Sequence, residues 1–158
     1  MARRCPQVGF DIVGTPNKAS DYATNLLADA ARLPNVKAHG RLPDRELQQL
    51  YQTAQVLCCT STLEGFPTTF LEAWSGGIPV VTTFDPDGIV KQHNLGRVAE
   101  TPDEFVAHLT NVLNDATAYA ALAESARRYY QENHTVEVMA QRFRSALEQL
   151  VSKGAKAK

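Results

Sequence analysis

The sequence lacks any apolar stretch approaching the roughly 20 residues of a membrane-crossing helix. It also lacks a dominant charge: 16 basic and 17 acidic side chains leave a net charge of −1. That balance offers no electrostatic case for nucleic acid or an anionic membrane. No disulfide framework is available, because the three cysteines cannot all pair and Cys58 and Cys59 lie side by side in an apolar run. Reduced, buried thiols in a cytoplasmic protein are the expectation. The segment Met1 to Pro6, followed by a short apolar stretch ending at Gly14, does not have the pattern of a secretory signal, so the sequon Asn133-His134-Thr135 is taken as chance. No G-x-G-x-x-G is present. Gly9 and Gly14 have Walker spacing, but Thr15 and Pro16 stand where a phosphate-gripping lysine and a Ser/Thr are needed. His39, His93, His108 and His134 do not have metal-ligand spacing, and adjacent cysteines are too close for a zinc knuckle. No metal and no cofactor are expected. Ser61 is without the flanking glycines of a nucleophile elbow.

What is present is an ordinary globular composition, 44% apolar and 21% charged over 158 residues, enough for one domain that buries roughly 70% of its unfolded surface. Apolar runs alternate with amphipathic stretches. Strands are expected over 8–13, 36–40, 56–60, 78–82 and 96–99, and helices over 20–33, 44–54, 67–75, 102–114, 117–132 and 136–151. Ser20 is an expected N-cap, Pro67 suits a first helical position, and Gly76-Gly77 suits a helix stop. The run Val56-Leu-Cys-Cys-Thr60 shows no alternation, as in a strand covered on both faces. Strand–helix alternation with crossovers of ten or more residues predicts an α/β fold: a Rossmann-like parallel sheet of about five strands with helices on both faces. The domain is expected over 1–151 and a disordered tail over 152–158. In such folds ligands bind beyond the carboxyl ends of the strands. That directs attention to the loops at 14–19, 40–43, 60–67 and 82–88.

The segment from Thr60 to Val81 is the informative one. It reads as strand, glycine-containing loop, short helix, Gly-Gly turn, strand. Glu64 lies before the helix, Glu72 lies within it, and the free N–H groups of the helix start lie between them. An anion site between two hydroxyl-accepting carboxylates fits a phosphate linked to sugars on either side. A plainer interpretation stands beside it: Thr69-x-x-Glu72 has capping-box spacing.

The order Glu64-Gly-Phe-Pro-x-x-x-Leu-Glu72-Ala, followed by Gly77-x-Pro-Val-Val81, resembles the donor-binding signature of the retaining family-four glycosyltransferases, glycosyl transferases group one, which have the GT-B fold. Asn35 to Pro43, Leu50 to Ala54 and Asp85 to Val90 resemble further parts of that family, and the resemblance covers roughly residues 6–150. It implies a hexosyltransferase-like enzyme whose donor is a nucleotide diphosphate sugar, UDP- or GDP-linked. It implies that Glu72 accepts hydrogen bonds from ribose hydroxyls and that Glu64, the catalytic residue, contacts hydroxyls of the transferred sugar. Backbone groups of Gly65, Phe66, Pro67, Thr68 and Thr69 would hold sugar and diphosphate, and those around Gly40 and Arg41 the base. Thr68 stands where relatives often have asparagine.

The same resemblance implies that the chain corresponds to the C-terminal half of a GT-B enzyme, without that half's first strand–helix unit, its Arg/Lys pair and the N-terminal acceptor domain. A fragment inactive on its own and prone to self-association is the expectation. The alternatives are a non-catalytic nucleotide-sugar-binding or assembly module and an epimerase-like relative. Elsewhere Trp74, Cys58, Cys59, Tyr129, Tyr130, Met139, Phe143 and Leu147 are expected in packing, and Arg3, Arg4, Lys91 and His93 on the surface.

Overall fold

The computed structural model describes residues 1–16 and 20–156, with side chains as far as Val151. Asn17, Lys18 and Ala19, part of the expected ligand loop 14–19, lie outside the described residues, as do Ala157 and Lys158. Strands β1 (Phe10–Val13), β2 (Val36–Gly40), β3 (Leu57–Cys59), β4 (Val80–Thr82) and β5 (Gly96–Val98) alternate with helices α1 (Asp21–Ala31), α2 (Asp44–Thr53), α3 (Thr68–Ser75) and α4 (Ile89–Gln92). Three helices close the chain: α5 (Pro102–Asn114), α6 (Ala116–Asn133) and α7 (Val136–Lys156). Local chemistry sets several boundaries. Ser20 Oγ accepts from the Ala23 N–H and caps α1. At α5, Thr101 Oγ1 accepts from the Glu104 N–H while Glu104 Oε2 accepts from the Glu100 N–H, a close variant of a capping box. Asp85 does the same for α4, a helix not expected from the sequence, by accepting from the N–H groups of Val90 and Lys91.

All strand pairings are parallel, as the alternation predicts, but the five strands do not form one sheet. Among the described residues β1 pairs only with β2, and β3, β4 and β5 form a second sheet in that order. The expected sheet of five is therefore a pair and a triplet. Alternation specifies how many strands form and in which direction they run. It does not specify that the free edges of β1 and β3 meet, because that requires a ladder partner for each.

β4 is the buried centre. Val80 faces one cluster with Phe70, Trp74, Val90, Leu95 and Ala126, and Val81 faces another with Ala99, Phe105, Val112 and Leu122. This is the non-alternating pattern of a strand covered on both faces. β3 carries that pattern too, yet its residues are only half-buried, because one edge is open. α7 departs from expectation in two ways. It runs to Lys156, past the Val151 at which the sequence reading ends the helix. Its Met139, Phe143 and Leu147 are exposed, Phe143 by 68%, rather than packed. Amphipathic periodicity identifies a face that can be buried but not what covers it.

Candidate functional site

The loop from Thr60 to Pro67 leaves the carboxyl end of β3 and delivers the chain to α3. Its beginning is latched: Thr83 Oγ1 donates to the Ser61 carbonyl at 2.9 Å, and the Thr83 N–H donates to the Cys59 carbonyl at 3.0 Å. Its middle is open. Leu63 is 86% exposed, Glu64 and Gly65 are exposed, and a Cβ built on Gly65 would meet nothing within 4 Å. A ligand can therefore approach this backbone without steric obstruction.

α3 starts without a side-chain cap. Pro67 is the N-cap residue, and the N–H groups of Thr68 and Thr69 make no hydrogen bond among the described residues. The capping-box interpretation of Thr69 and Glu72 thus fails. Thr69 lies inside the helix rather than before it, and Glu72 looks elsewhere. Thr68 and Glu72, four residues apart, share the exposed face, while Phe70, Ala73 and Trp74 are buried in the core. At the far end the helix stops on a Schellman turn: Ile78 N–H donates to the Ala73 carbonyl, and Gly77 N–H to the Trp74 carbonyl, with Gly77 at φ +73°. The start of α3 therefore offers free donors and the positive end of a helix dipole at the surface.

Glu72 has a partner that sequence reasoning missed. The Tyr51 hydroxyl, on α2, donates to Glu72 Oε2 at 2.8 Å. Burial pushes the Tyr51 hydroxyl well above the usual 10, and the Glu72 carboxylate pushes it further. Tyr51 is therefore a permanent donor at neutral pH. Leu47, Leu50 and Tyr51 recur at helical spacing, but nothing in sequence announces a contact across 21 residues.

The remaining expected residues distribute as follows. Gly40, at φ +66°, ends β2, and its carbonyl accepts the Gly14 N–H at 2.7 Å, so the loops after β1 and β2 are tied together. Arg41 is exposed beside it. Among the described residues no hydrogen bond joins Gly40 and Arg41 to loop 60–67. Arg3 and Arg4 are exposed, as expected, but ion-paired: Arg4 with Asp103 at 2.7 Å and Arg3 with Asp29 at 3.5 Å. Lys91 and His93 are exposed. Cys58 is a half-buried thiol packed against the core, pushed up to about 12 by burial, with Cys5 and Cys59 adding to the shift. It is far too weakly acidic to be a nucleophile at neutral pH. No group of three or more His, Cys, Asp and Glu side chains among the described residues could hold a metal ion.

Comparison with known proteins points the same way. The family model described as glycosyl transferases group 1 matches residues 2–129. The chain is 36% identical over 83 residues to a lipopolysaccharide 1,6-galactosyltransferase of Salmonella typhimurium, covering 49% of this chain and 23% of that protein. It is 27% identical over 99 residues to a glycosyltransferase 1 domain-containing protein of Xenopus tropicalis, covering 61% and 29% respectively. It is 24% identical over 163 aligned positions to the GtfA subunit of a UDP-N-acetylglucosamine–peptide N-acetylglucosaminyltransferase of Streptococcus parasanguinis, covering 95% and 31%. The chain thus spans less than a third of the length of each of these curated relatives.

Proposed function

Since the chain belongs to the glycosyl transferases group 1, we propose that it is the donor-binding domain of a glycosyltransferase that takes a nucleoside diphosphate sugar, UDP- or GDP-linked, and transfers the sugar with retention. The observation that carries this proposal is the start of α3: an uncapped, exposed helix N-terminus between two exposed carboxylates, Glu64 and Glu72. Backbone groups from Gly65 to Thr69, among them the N–H donors of Gly65, Phe66, Thr68 and Thr69, hold the diphosphate and the sugar. Glu72 accepts from ribose hydroxyls while Tyr51 orients it, and Glu64 accepts from hydroxyls of the transferred sugar. Backbone groups at Gly40 and Arg41 contact the base. In the transfer, the bond from the anomeric carbon to the diphosphate oxygen breaks. A bond to the acceptor oxygen forms on the same face, and the acceptor proton passes to the leaving phosphate oxygen. The printed names of two relatives, a galactosyltransferase and an N-acetylglucosaminyltransferase, support sugar transfer as the class of reaction.

Transfer also requires an oriented acceptor and charge stabilisation on the departing diphosphate. Loop 60–67 and the start of α3 are open to solvent, so both contributions have to come from a second wall. We propose that an N-terminal acceptor domain supplies it. A second reading, donor binding without transfer in an assembly module, is favoured by that same openness.

Calorimetry with UDP, GDP and their sugar-linked forms tests binding. Glu72→Ala is expected to weaken it by about 1–3 kcal/mol, the range for hydrogen bonds to a charged group. Measurable wild-type binding left unchanged by the substitution overturns the ribose assignment. A transfer assay separates the two readings. The chain alone is expected to give no transfer, and addition of an acceptor domain is expected to restore it, whereas a binding module stays inactive in both arms.

A further inference from the structure

We infer that Phe66 and His134 are positioning residues: they form an aromatic clasp that fixes loop 60–67, and with it Glu64 and Gly65, to the junction of α6 and α7. What the loop is positioned for rests on the donor-binding reading; the clasp itself does not.

Residues 62–66 make no hydrogen bond among the described residues. The loop is held at Ser61 and enters α3 at Thr68, and between those points the Phe66 ring supplies its ring contacts. The ring is 41% exposed, lies 5.6 Å from His134 at an interplanar angle of 38°, and meets Trp74 edge-on at 6.3 Å and 77°. Tyr129 joins the group from α6, 5.3 Å from His134 and 5.6 Å from Trp74, edge-on to the latter at 85°. Offset and edge-to-face pairs of this kind are each worth about 0.5–1.5 kcal/mol beyond their burial.

The anchor is a rigid one. The His134 N–H closes α6 on the Tyr130 carbonyl at 2.8 Å. Arg142 of α7 donates to the Asn133 carbonyl at 3.0 Å and to Asn133 Oδ1 at 2.7 Å, while Asn133 Nδ2 donates to the Tyr129 carbonyl at 3.0 Å. Trp74 is fully buried in the core. The loop is therefore clamped between two fixed bodies by one side chain.

The clasp depends on a neutral imidazole. His134 Nε2 and Trp74 Nε1 are buried among the rings without hydrogen-bond partners among the described residues. A proton on that imidazole would leave an unpaired charged N–H in apolar surroundings. Burial holds the His134 imidazole below its usual 6.5, and the Arg142 guanidinium holds it lower still. The charged or titratable groups around it are Arg142 on α7, Tyr129 on α6 and, beyond Tyr129, His93 at 4.7 Å from that ring after α4. A lowered folded value means that the clasp is intact above the ordinary histidine range and weakens as pH falls through and below about 6.5.

Backbone 15N order parameters at Glu64 and Gly65 test the clasp, with UDP and GDP affinities measured in parallel. In the wild type at pH 7.5 both amides are expected near the rigid value of about 0.85, and His134→Ala is expected to take them below about 0.6. His134→Phe keeps the stack and is expected to restore order and to hold it as pH falls below the histidine range, where the wild type loosens. Phe66→Ala removes a partly exposed ring, so it reports even if His134→Ala does not fold. A structural role alone would loosen Phe70 and Val80 as well; the clasp confines the change to the loop. Nucleotide dissociation constants are expected to rise roughly 2- to 10-fold in both alanine variants, the equivalent of one aromatic pair. Loop amides already mobile in the wild type, or unmoved by both alanine variants, overturn the clasp whatever the nucleotides do. A loop that loosens as expected in a chain that binds neither nucleotide upholds the clasp and overturns the donor reading.

Discussion

Glu72 gives one carboxylate oxygen to Tyr51, so any ligand that uses the other meets a carboxylate already oriented from α2. Removing the hydroxyl with Tyr51→Phe is expected to lower stability by about 1 kcal/mol, the net value of a typical hydrogen bond. The pH dependence has a definite sign. Because the folded-state value is raised above the usual 10, the contribution is fully present below pH 10 and is lost as pH rises above it, since only the unfolded chain readily gives up the proton. Urea titrations from pH 7 to 11 check this: the wild type should lose stability above pH 10 and the phenylalanine variant should lose less. At this scale the sequence is legible where partners lie within one helical turn. Ser20 as a cap follows from residue type and spacing. Tyr51 and Glu72 sit on different helices, and the Phe66 and Trp74 rings come from one stretch of chain and the Tyr129 and His134 rings from another. Those meetings are products of the tertiary fold. Thr69 illustrates the opposite error, a local motif that matches in spacing but falls inside the helix because Pro67 already ends the extended segment.

Among the elements, strand direction and helix placement follow from alternation and from Pro and Gly punctuation, and boundaries agree to within two residues at every expected end except that of α7. What alternation cannot convey is edge contact. β5 shows how strict such contacts are: a Cβ at Gly96 would overlap the Val80 backbone carbonyl across the β4–β5 ladder. Gly96→Ala is expected to cost about 3 kcal/mol or more, at the upper end of overpacking effects because backbone rather than a flexible side chain must yield. Denaturant unfolding measures it, and a loss under 1 kcal/mol would mean that β5 can leave β4 at little cost.

For the whole molecule, the open edges of β1 and β3 and the apolar stripe of α7 combine into an expectation of association. Ile12 and Val13 are 37% and 39% exposed, and Leu26 on α1 is 50% exposed. Unpaired strand edges flanked by apolar surface recruit other chains. Light scattering across a concentration series should show mass increasing with concentration; a monodisperse monomer at high concentration would overturn this.

The split sheet also implies a hierarchy of opening. The principal contacts of β1, α1 and β2 are with one another, and exposed ion pairs such as Arg4–Asp103 bind little between solvated groups. β1, α1 and β2 are therefore expected to open as one unit while β4 remains closed. Native-state hydrogen exchange should find the amides of Val36 to Gly40 released at a smaller free energy than those of Val80 to Thr82. The Gly40–Arg41 end of the proposed site would then come and go on a faster clock than the α3 end.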